Sequence, residues 1–278
     1  MKRKIIIFLS LLVCSFLTIA GVGYLYYQRY PWQIEKALCW IYNDVKRLKS
    51  TRQDSPQHIN PMPMRTPAIM QIDTTVNLIV FKPNFGKVEL EAGEMPSQQN
   101  DSVIFCAAAA FTSQLRADFS HDNIVGAYIT HGKHYLGYQG GKNYGRFVYT
   151  NKQWQFINNT DHATFDATAN NGGSAFTQMW VIQDNRIYRP YARKDSTQQN
   201  IYRCLCERND TLMIAQCIKV IPYHIFVKAL QAYGINNALY MDMGSGWNHS
   251  FYRDNSDSLH IIFPRIHNYC TNWITFYK

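Results

Sequence analysis

The sequence predicts an α+β fold: a single domain with a mixed or antiparallel sheet and a few helices, preceded by an N-terminal transmembrane helix. Three observations carry that reading. Short apolar or alternating runs recur between Gly, Asn and Asp turn signals. One well-bounded amphipathic helix interrupts them near residue 222. An uncharged stretch close to the first residue is long enough to cross a bilayer.

That stretch comes first in the chain. Ile5 to Tyr27 are 23 residues without a charge, between Lys4 and Arg29. At about 1.5 Å per residue they span a hydrocarbon core of about 30 Å. Tyr24, Tyr26, Tyr27, Tyr30 and Trp32 follow as an interfacial aromatic belt would. The competing reading is a cleaved signal peptide, because Thr18-Ile19-Ala20 loosely fits a small-x-small site. The apolar run continues past that site, which favours an uncleaved anchor over residues 1–30. Large domains translocate largely regardless of flanking charge, so the body is expected to face the periplasm or cell exterior.

Pro31 then opens a stretch with Ile34, Leu38, Ile41, Val45 and Leu48 at helical spacing. Residues 50–67 hold four prolines among polar residues and read as a linker. Residues 31–67 are thus a helical stalk and Pro-rich linker, and 68–278 are the folded domain.

Within the domain the expected strands are Val76–Phe81, Val103–Ala110, Ile124–Thr130, Arg146–Tyr149, Met179–Ile182, Leu212–Ile218 and Ala238–Met241. The helix begins at Pro222. Tyr223, Phe226, Val227, Leu230 and Tyr233 form its apolar face, and Gly234 stands where a left-handed glycine ends a helix. A second helix is expected over Thr112–Phe119.

Composition limits the function. The chain has 278 residues, 46% hydrophobic and 17% charged, enough for a sizeable core. Aromatic residues reach 14%, which suits a β-rich body and a stacking surface. The net charge of +9 is concentrated outside the body. Residues 1–27 carry +3, residues 28–66 seven basic and three acidic groups, and residues 67–278 only +2. An electrostatic nucleic-acid binder is disfavoured, so no nucleic-acid partner is expected.

The seven cysteines include no C-x-x-C pair, and no H-E-x-x-H occurs, so neither a metal nor another cofactor is called for. One disulfide among Cys39, Cys106, Cys204, Cys206, Cys217 and Cys270 stays open. Asp254-Asn255-Ser256-Asp257 lacks the later Gly and Glu of an EF-hand and reads as a solvated turn.

The stretch richest in chemistry follows the helix: YGINNALYMDMGSG, from Tyr233 to Gly246. A short apolar strand ends at Asp242, and the loop Gly244, Ser245, Gly246 can present backbone N–H groups to an anion. A carboxylate there serves as acid, base or nucleophile in glycoside cleavage. The plain alternative is a turn joining two strands. Arg203 lies inside the apolar run Ile201-Tyr202-Arg203-Cys204-Leu205-Cys206 and faces either solvent or a buried anion.

These residues, in this order, resemble the phosphodiester glycosidase family, the family of the lysosomal uncovering enzyme. That family places a helix before a pattern like L-G-x-x-N-A-L-N-L-D-G-G-G-S, which the Tyr233–Gly246 stretch looks like. Its Arg, in an R-T-A-x-G strand followed by a hairpin, looks like Arg203 before Asn209-Asp210-Thr211-Leu212. Ile124-Val125-Gly126, Gly132 and Asn143-Tyr144-Gly145-Arg146-Phe147 resemble its early strands. The similarity covers roughly 103–252. It also resembles a membrane-anchored branch found in gut Bacteroidetes, with Asp-Met-Gly-Ser-Gly-Trp-Asn in the last loop.

The resemblance implies an extracytoplasmic hydrolase of a sugar phosphodiester or related glycosidic bond in a glycan. Asp242 and Arg203 would be catalytic, and Gly244, Ser245, Gly246, His121 and Asn143 would bind substrate. The family's N-G-G-F-F motif stands here as Ala107-Ala108-Ala109-Ala110-Phe111, and Met243 replaces the first glycine after the Asp. Loss of that Asn removes a group that could fix a sugar hydroxyl or the phosphate. This motivates the alternative, a catalytically silent glycan-binding envelope protein of the same fold.

Overall fold

Two antiparallel sheets packed face to face form the body, and the reason lies in its turns. The computed structural model describes residues 68–112, 124–138, 141–188, 199–243, 248–263 and 270–278. The anchor, the stalk helix, the linker and most of the helix expected over Thr112–Phe119 lie outside them. Among the described residues no helix is long and apolar enough to cross a membrane.

The strands in chain order are β1 Met70–Thr74, β2 Leu78–Pro83, β3 Lys87–Ala92, β4 Val103–Ala108, β5 Tyr128–Thr130, β6 Lys133–Tyr135, β7 Tyr144–Thr150, β8 Gln153–Asn158, β9 Ser174–Gln183 and β10 Arg186–Ile187. They continue with β11 Gln199–Asn200, β12 Arg203–Arg208, β13 Thr211–Cys217, β14 Ile221–Pro222, β15 Asn237–Tyr240, β16 Ser250–Arg253, β17 Leu259–Phe263 and β18 Asn272–Tyr277. Helix α1 is His162–Asn170 and α2 is Tyr223–Tyr233.

Four tight hairpins shape the larger sheet. His131-Gly132, Asn151-Lys152, Asp184-Asn185 and Asn209-Asp210 all have positive φ at both positions. Two-residue turns of that kind match the twist of paired strands, and Asn, Asp and Gly tolerate them best. They close β5–β6, β7–β8, β9–β10 and β12–β13.

The larger sheet runs β1-β2-β13-β12-β15-β9-β5-β6, with β7 and β10 also pairing with β9, and β8 pairing with β7. The smaller sheet runs β17-β16-β4-β18-β3. A two-stranded ladder joins β11 and β14.

Alternation along β12 divides its side chains between two cores. Leu205 joins Ile214, Leu239, Phe105, Phe276 and Ile274 between the sheets. Cys204 and Cys206 face Phe226, Val227 and Leu230 of α2 on the outer face. Pro222 caps the start of α2 with extended backbone, and Gly234 ends it at φ 84°. Helix α1 covers β5, β7 and β9 through Phe165, and Asp161 accepts the Thr164 N–H at its start.

The fold class is therefore as expected at the level of one α+β domain dominated by antiparallel sheet. The expected strand Ile124–Thr130 shortens to Tyr128–Thr130, because Gly126 instead makes a parallel bridge to Tyr138. Cys106, Cys204, Cys206, Cys217 and Cys270 are all free and buried. The Asp254 turn forms through its own carboxylate, which accepts Ser256 and Ser258 N–H groups at 2.9 and 3.0 Å.

Candidate functional site

Arg203 opens β12 directly opposite Gln216 of β13. It shares the inward face of Leu205, so its side chain enters the space between the sheets. There it is fully buried. Nε and Nη2 donate to Gln216 Oε1 at 2.9 and 2.6 Å, and Nη2 also donates to Ser250 Oγ at 2.6 Å. The guanidinium lies 5.7 Å from the ring centre of Phe263. Nη1 makes no hydrogen bond. Burial pushes the guanidinium pKa down to about 9, which leaves it a cation at neutral pH.

A buried cation held by neutral partners, with one nitrogen still uncommitted, is costly unless an anion completes it. A carboxylate, Asp242, follows the strand that pairs with β12 at this end. Strand β15 runs antiparallel to β12, so the chain leaves it at the end where β12 begins. Met241 N–H donates to the Arg203 carbonyl at 3.0 Å, and Asp242 N–H donates to the Ala109 carbonyl at 3.1 Å. Ala109 follows β4, so these two consecutive amides tie the exit of the larger sheet to the exit of the smaller one. Asp242 is 4% exposed.

Cys270 reports on both charges. Burial pushes its thiol up to about 12; the Asp242 carboxylate adds to the rise and the Arg203 guanidinium opposes it. The thiol is thus within electrostatic reach of each charge, and it stays protonated. His249 precedes Ser250 and is also buried, with Nε2 3.2 Å from Gln98 Nε2. Burial lowers its pKa, a hydrogen bond to the Phe263 backbone opposes the fall, and Arg203 adds to it. The imidazole is therefore held neutral.

The alanine run that stands for N-G-G-F-F is held by a distant side chain. Asn272 Nδ2 donates to the Ala110 carbonyl at 3.0 Å, and its Oδ1 accepts the Ala110 N–H at 2.8 Å. The run itself contributes only methyl groups and backbone.

Of the residues read from sequence, Arg203 and Asp242 both lie at this joined end of the two sheets. Asn143 sits elsewhere, before β7: its carbonyl accepts the Trp180 N–H at 3.0 Å, and its Oδ1 accepts the Tyr188 hydroxyl at 3.5 Å. His121, Gly244, Ser245 and Gly246 lie outside the described residues. Sequence reading missed Gln216, Ser250, His249, Cys270 and Asn272. The one signal available was Ser250 and His249 closely following the Asp242 loop.

The arrangement suits chemistry on an anionic ester. A water-poor end of a sandwich places a fixed cation, a carboxylate and a neutral imidazole near one another, where electrostatic effects are strong.

No family model matches the chain, and no curated protein matches it. Among solved structures, it is similar to the catalytic domain of zebrafish N-acetylglucosamine-1-phosphodiester alpha-N-acetylglucosaminidase, described as auto-inhibited by its pro-peptide. That similarity has a TM-score of 0.52 at 12% identity, and covers 81% of this chain and 87% of that chain. A hypothetical protein from Synechocystis matches at TM-score 0.44 and 11% identity, over 75% of this chain and 61% of that chain. At 12% identity the first likeness establishes a shared fold with a phosphodiester glycosidase domain.

Proposed function

We propose that this chain is a membrane-anchored, extracytoplasmic hydrolase of a sugar phosphodiester or related glycosidic bond in a glycan. The observation that carries the reading is Arg203: fully buried, bonded to neutral partners, and with Nη1 uncommitted beside the strand exit that bears Asp242. A phosphodiester would satisfy that nitrogen and neutralise the charge.

In this reading Arg203 holds the phosphate, and Asp242 is the acid/base or the nucleophile. The Gly244–Gly246 amides would cradle an oxygen anion. Water adds across the scissile bond: the sugar C1–O bond breaks, the sugar takes the hydroxyl, and the phosphomonoester takes the proton. Residues 5–27 would hold the domain at the membrane. The fold shared with a phosphodiester glycosidase domain supports this class of chemistry.

The four alanines favour a second reading, because Ala107–Ala110 present no polar side chain where the related motif carries Asn. In that reading the domain binds glycans without cleaving them. The test uses the full-length chain and its Asp242→Asn variant on a panel of sugar phosphodiesters and aryl glycosides. Release of free sugar that disappears in Asp242→Asn supports the hydrolase. Saturable binding without turnover, surviving the substitution, selects the binding module.

A further inference from the structure

A groove at the other end of the larger sheet carries the features of a second ligand site. Glu207 lies four residues along β12 from Arg203, about 13 Å at ~3.3 Å per residue. Two concavities meet there. One of about 650 Å³ is lined by Trp154, Phe156 and Glu207 among others, and one of about 250 Å³ by Phe156, Asn158, Trp180, Gln183 and Asn237 among others. Phe156 lines both. A bond of 2.5 Å from Asn237 Nδ2 to Glu207 Oε1 links their walls.

The aromatic rings form a stepped row. Trp154 and Phe156 lie 6.1 Å apart at 80°, and Phe156 and Trp180 lie 6.4 Å apart at 39°. Strand β8, which carries the first two, pairs among the described residues only with β7 and is an edge. Trp154 and Phe156 are each half-buried, so ring surface remains open to a ligand.

Trp180 differs in being 2% exposed, and its indole Nε1 has no hydrogen-bond partner. A buried N–H without an acceptor costs about 1–3 kcal/mol, which points to a group that is supplied from outside. The rim is made of amides already fixed in place. Gln183 Nε2 donates to Asn158 Oδ1 at 2.8 Å, and Asn237 Oδ1 accepts the Asp184 N–H at 3.0 Å. Each amide retains further donors or acceptors.

Open ring faces beside oriented amides and a lone N–H donor match a pyranose, which offers an apolar C–H face and a fringe of hydroxyls. The charge of the site excludes anionic ligands. Four carboxylates, on Asp161, Asp184, Glu207 and Asp210, line the two concavities against the single cation of Lys152. We propose that this groove binds an uncharged oligosaccharide, with sugars on Trp154 and Phe156 and a hydroxyl oxygen accepting from Trp180. The proposal stands whether or not Asp242 catalyses, because the two sites share no residue.

The test titrates the full-length chain with chitotetraose, maltotetraose and cellotetraose, with trigalacturonate as the anionic control, by calorimetry. Saturable binding of at least one neutral tetrasaccharide is expected. Trp154→Ala and Trp180→Phe are each expected to weaken it about 3- to 10-fold. Asp242→Asn should leave it unchanged. Near-UV circular dichroism checks that the variants fold. In the wild type, the Trp180 indole N–H resonance, assigned by its loss in Trp180→Phe, should shift on sugar addition, a readout that needs no binding-deficient variant. The proposal is overturned if no neutral tetrasaccharide binds, if trigalacturonate binds better, or if the indole resonance stays still. Binding lost in Asp242→Asn but kept in Trp154→Ala would also overturn it, by moving the ligand to the other site. Sugar release abolished by Asp242→Asn while Trp154→Ala binds normally would defeat the groove and leave the hydrolase intact.

Discussion

Replacing Asn272 by Ala is expected to cost more than any other single truncation at the joined end of the sheets. Its side chain is fully buried, and its amide bonds both the N–H and the C=O of one residue, Ala110, which is 1% exposed. Truncation leaves both backbone groups in the core with neither protein nor solvent to receive them. Each costs about 1–3 kcal/mol, so the loss is about 2–6 kcal/mol. For a domain of this size, about 2–4 °C of melting temperature goes with each kcal/mol, giving a fall of about 4–24 °C. Asn272→Asp is not expected to rescue it, because a carboxylate still accepts from Ala110 N–H but faces the Ala110 carbonyl with another oxygen. Thr275→Val on the same strand is the control: its hydroxyl donates only to the Cys106 sulfur at 3.7 Å, so its effect should be much smaller. Urea unfolding followed by tryptophan fluorescence measures all three. A loss below about 1 kcal/mol for Asn272→Ala would refute the reasoning, since it would mean the alanine run holds its place without the amide.

Two further predictions concern groups near the two sites. Burial holds the folded pKa of His249 below 6.5, so on acidification the unfolded chain takes up the proton first. Stability therefore rises with pH between the folded value and 6.5 and falls on acidification below about 6.5, with a slope of at most ~1.4 kcal/mol per pH unit. His249→Gln should flatten urea midpoints measured from pH 7 to 5; an unchanged slope would assign it to another group. Asp73 does not confuse this window, because hydrogen bonds from Lys82 and Tyr233 lower its pKa below 3.8, and its contribution disappears only at more acid pH. Gly145→Ala would set a methyl 2.2 Å from the Trp180 ring, so the indole must move. A cost of about 1–3 kcal/mol and a changed near-UV tryptophan signal are expected; a neutral substitution would show that the ring is not seated on the β7 backbone.

How far the fold could be read from the chain depended on whether a signal was local. The turns were legible because Asn, Asp and Gly are needed wherever φ is positive, and His131-Gly132 and Asp184-Asn185 announce that need within two residues. Helix α2 was legible from Pro222, an apolar face and Gly234. Helix α1 escaped notice because it buries only Phe165 and Thr168, too little periodicity to stand out, and its one clear mark is the Asp161 cap. Strands β16 to β18 were lost for a related reason: Ser250, Arg253 and Asn272 are buried polar residues that break an apolar pattern and become intelligible only beside their partners.

The same distinction governs the site. Asp242 and Arg203 were visible because each is a charge placed against an apolar strand, an anomaly that one sequence can display. Gln216 and Ser250 were not, because they lie 13 and 47 residues from Arg203, and nothing in either neighbourhood announces the pairing. Sheet register decides it: Arg203 opposes Gln216 across β12 and β13, while Ser250 reaches the guanidinium from the other sheet. The partners matter more than the charge for what Arg203 can do. Had a buried carboxylate held both terminal nitrogens, the cation would be neutralised and structural. Gln216 and Ser250 fix its orientation without cancelling its charge, and Nη1 keeps no hydrogen-bond partner, which is what the proposed hydrolase requires of it.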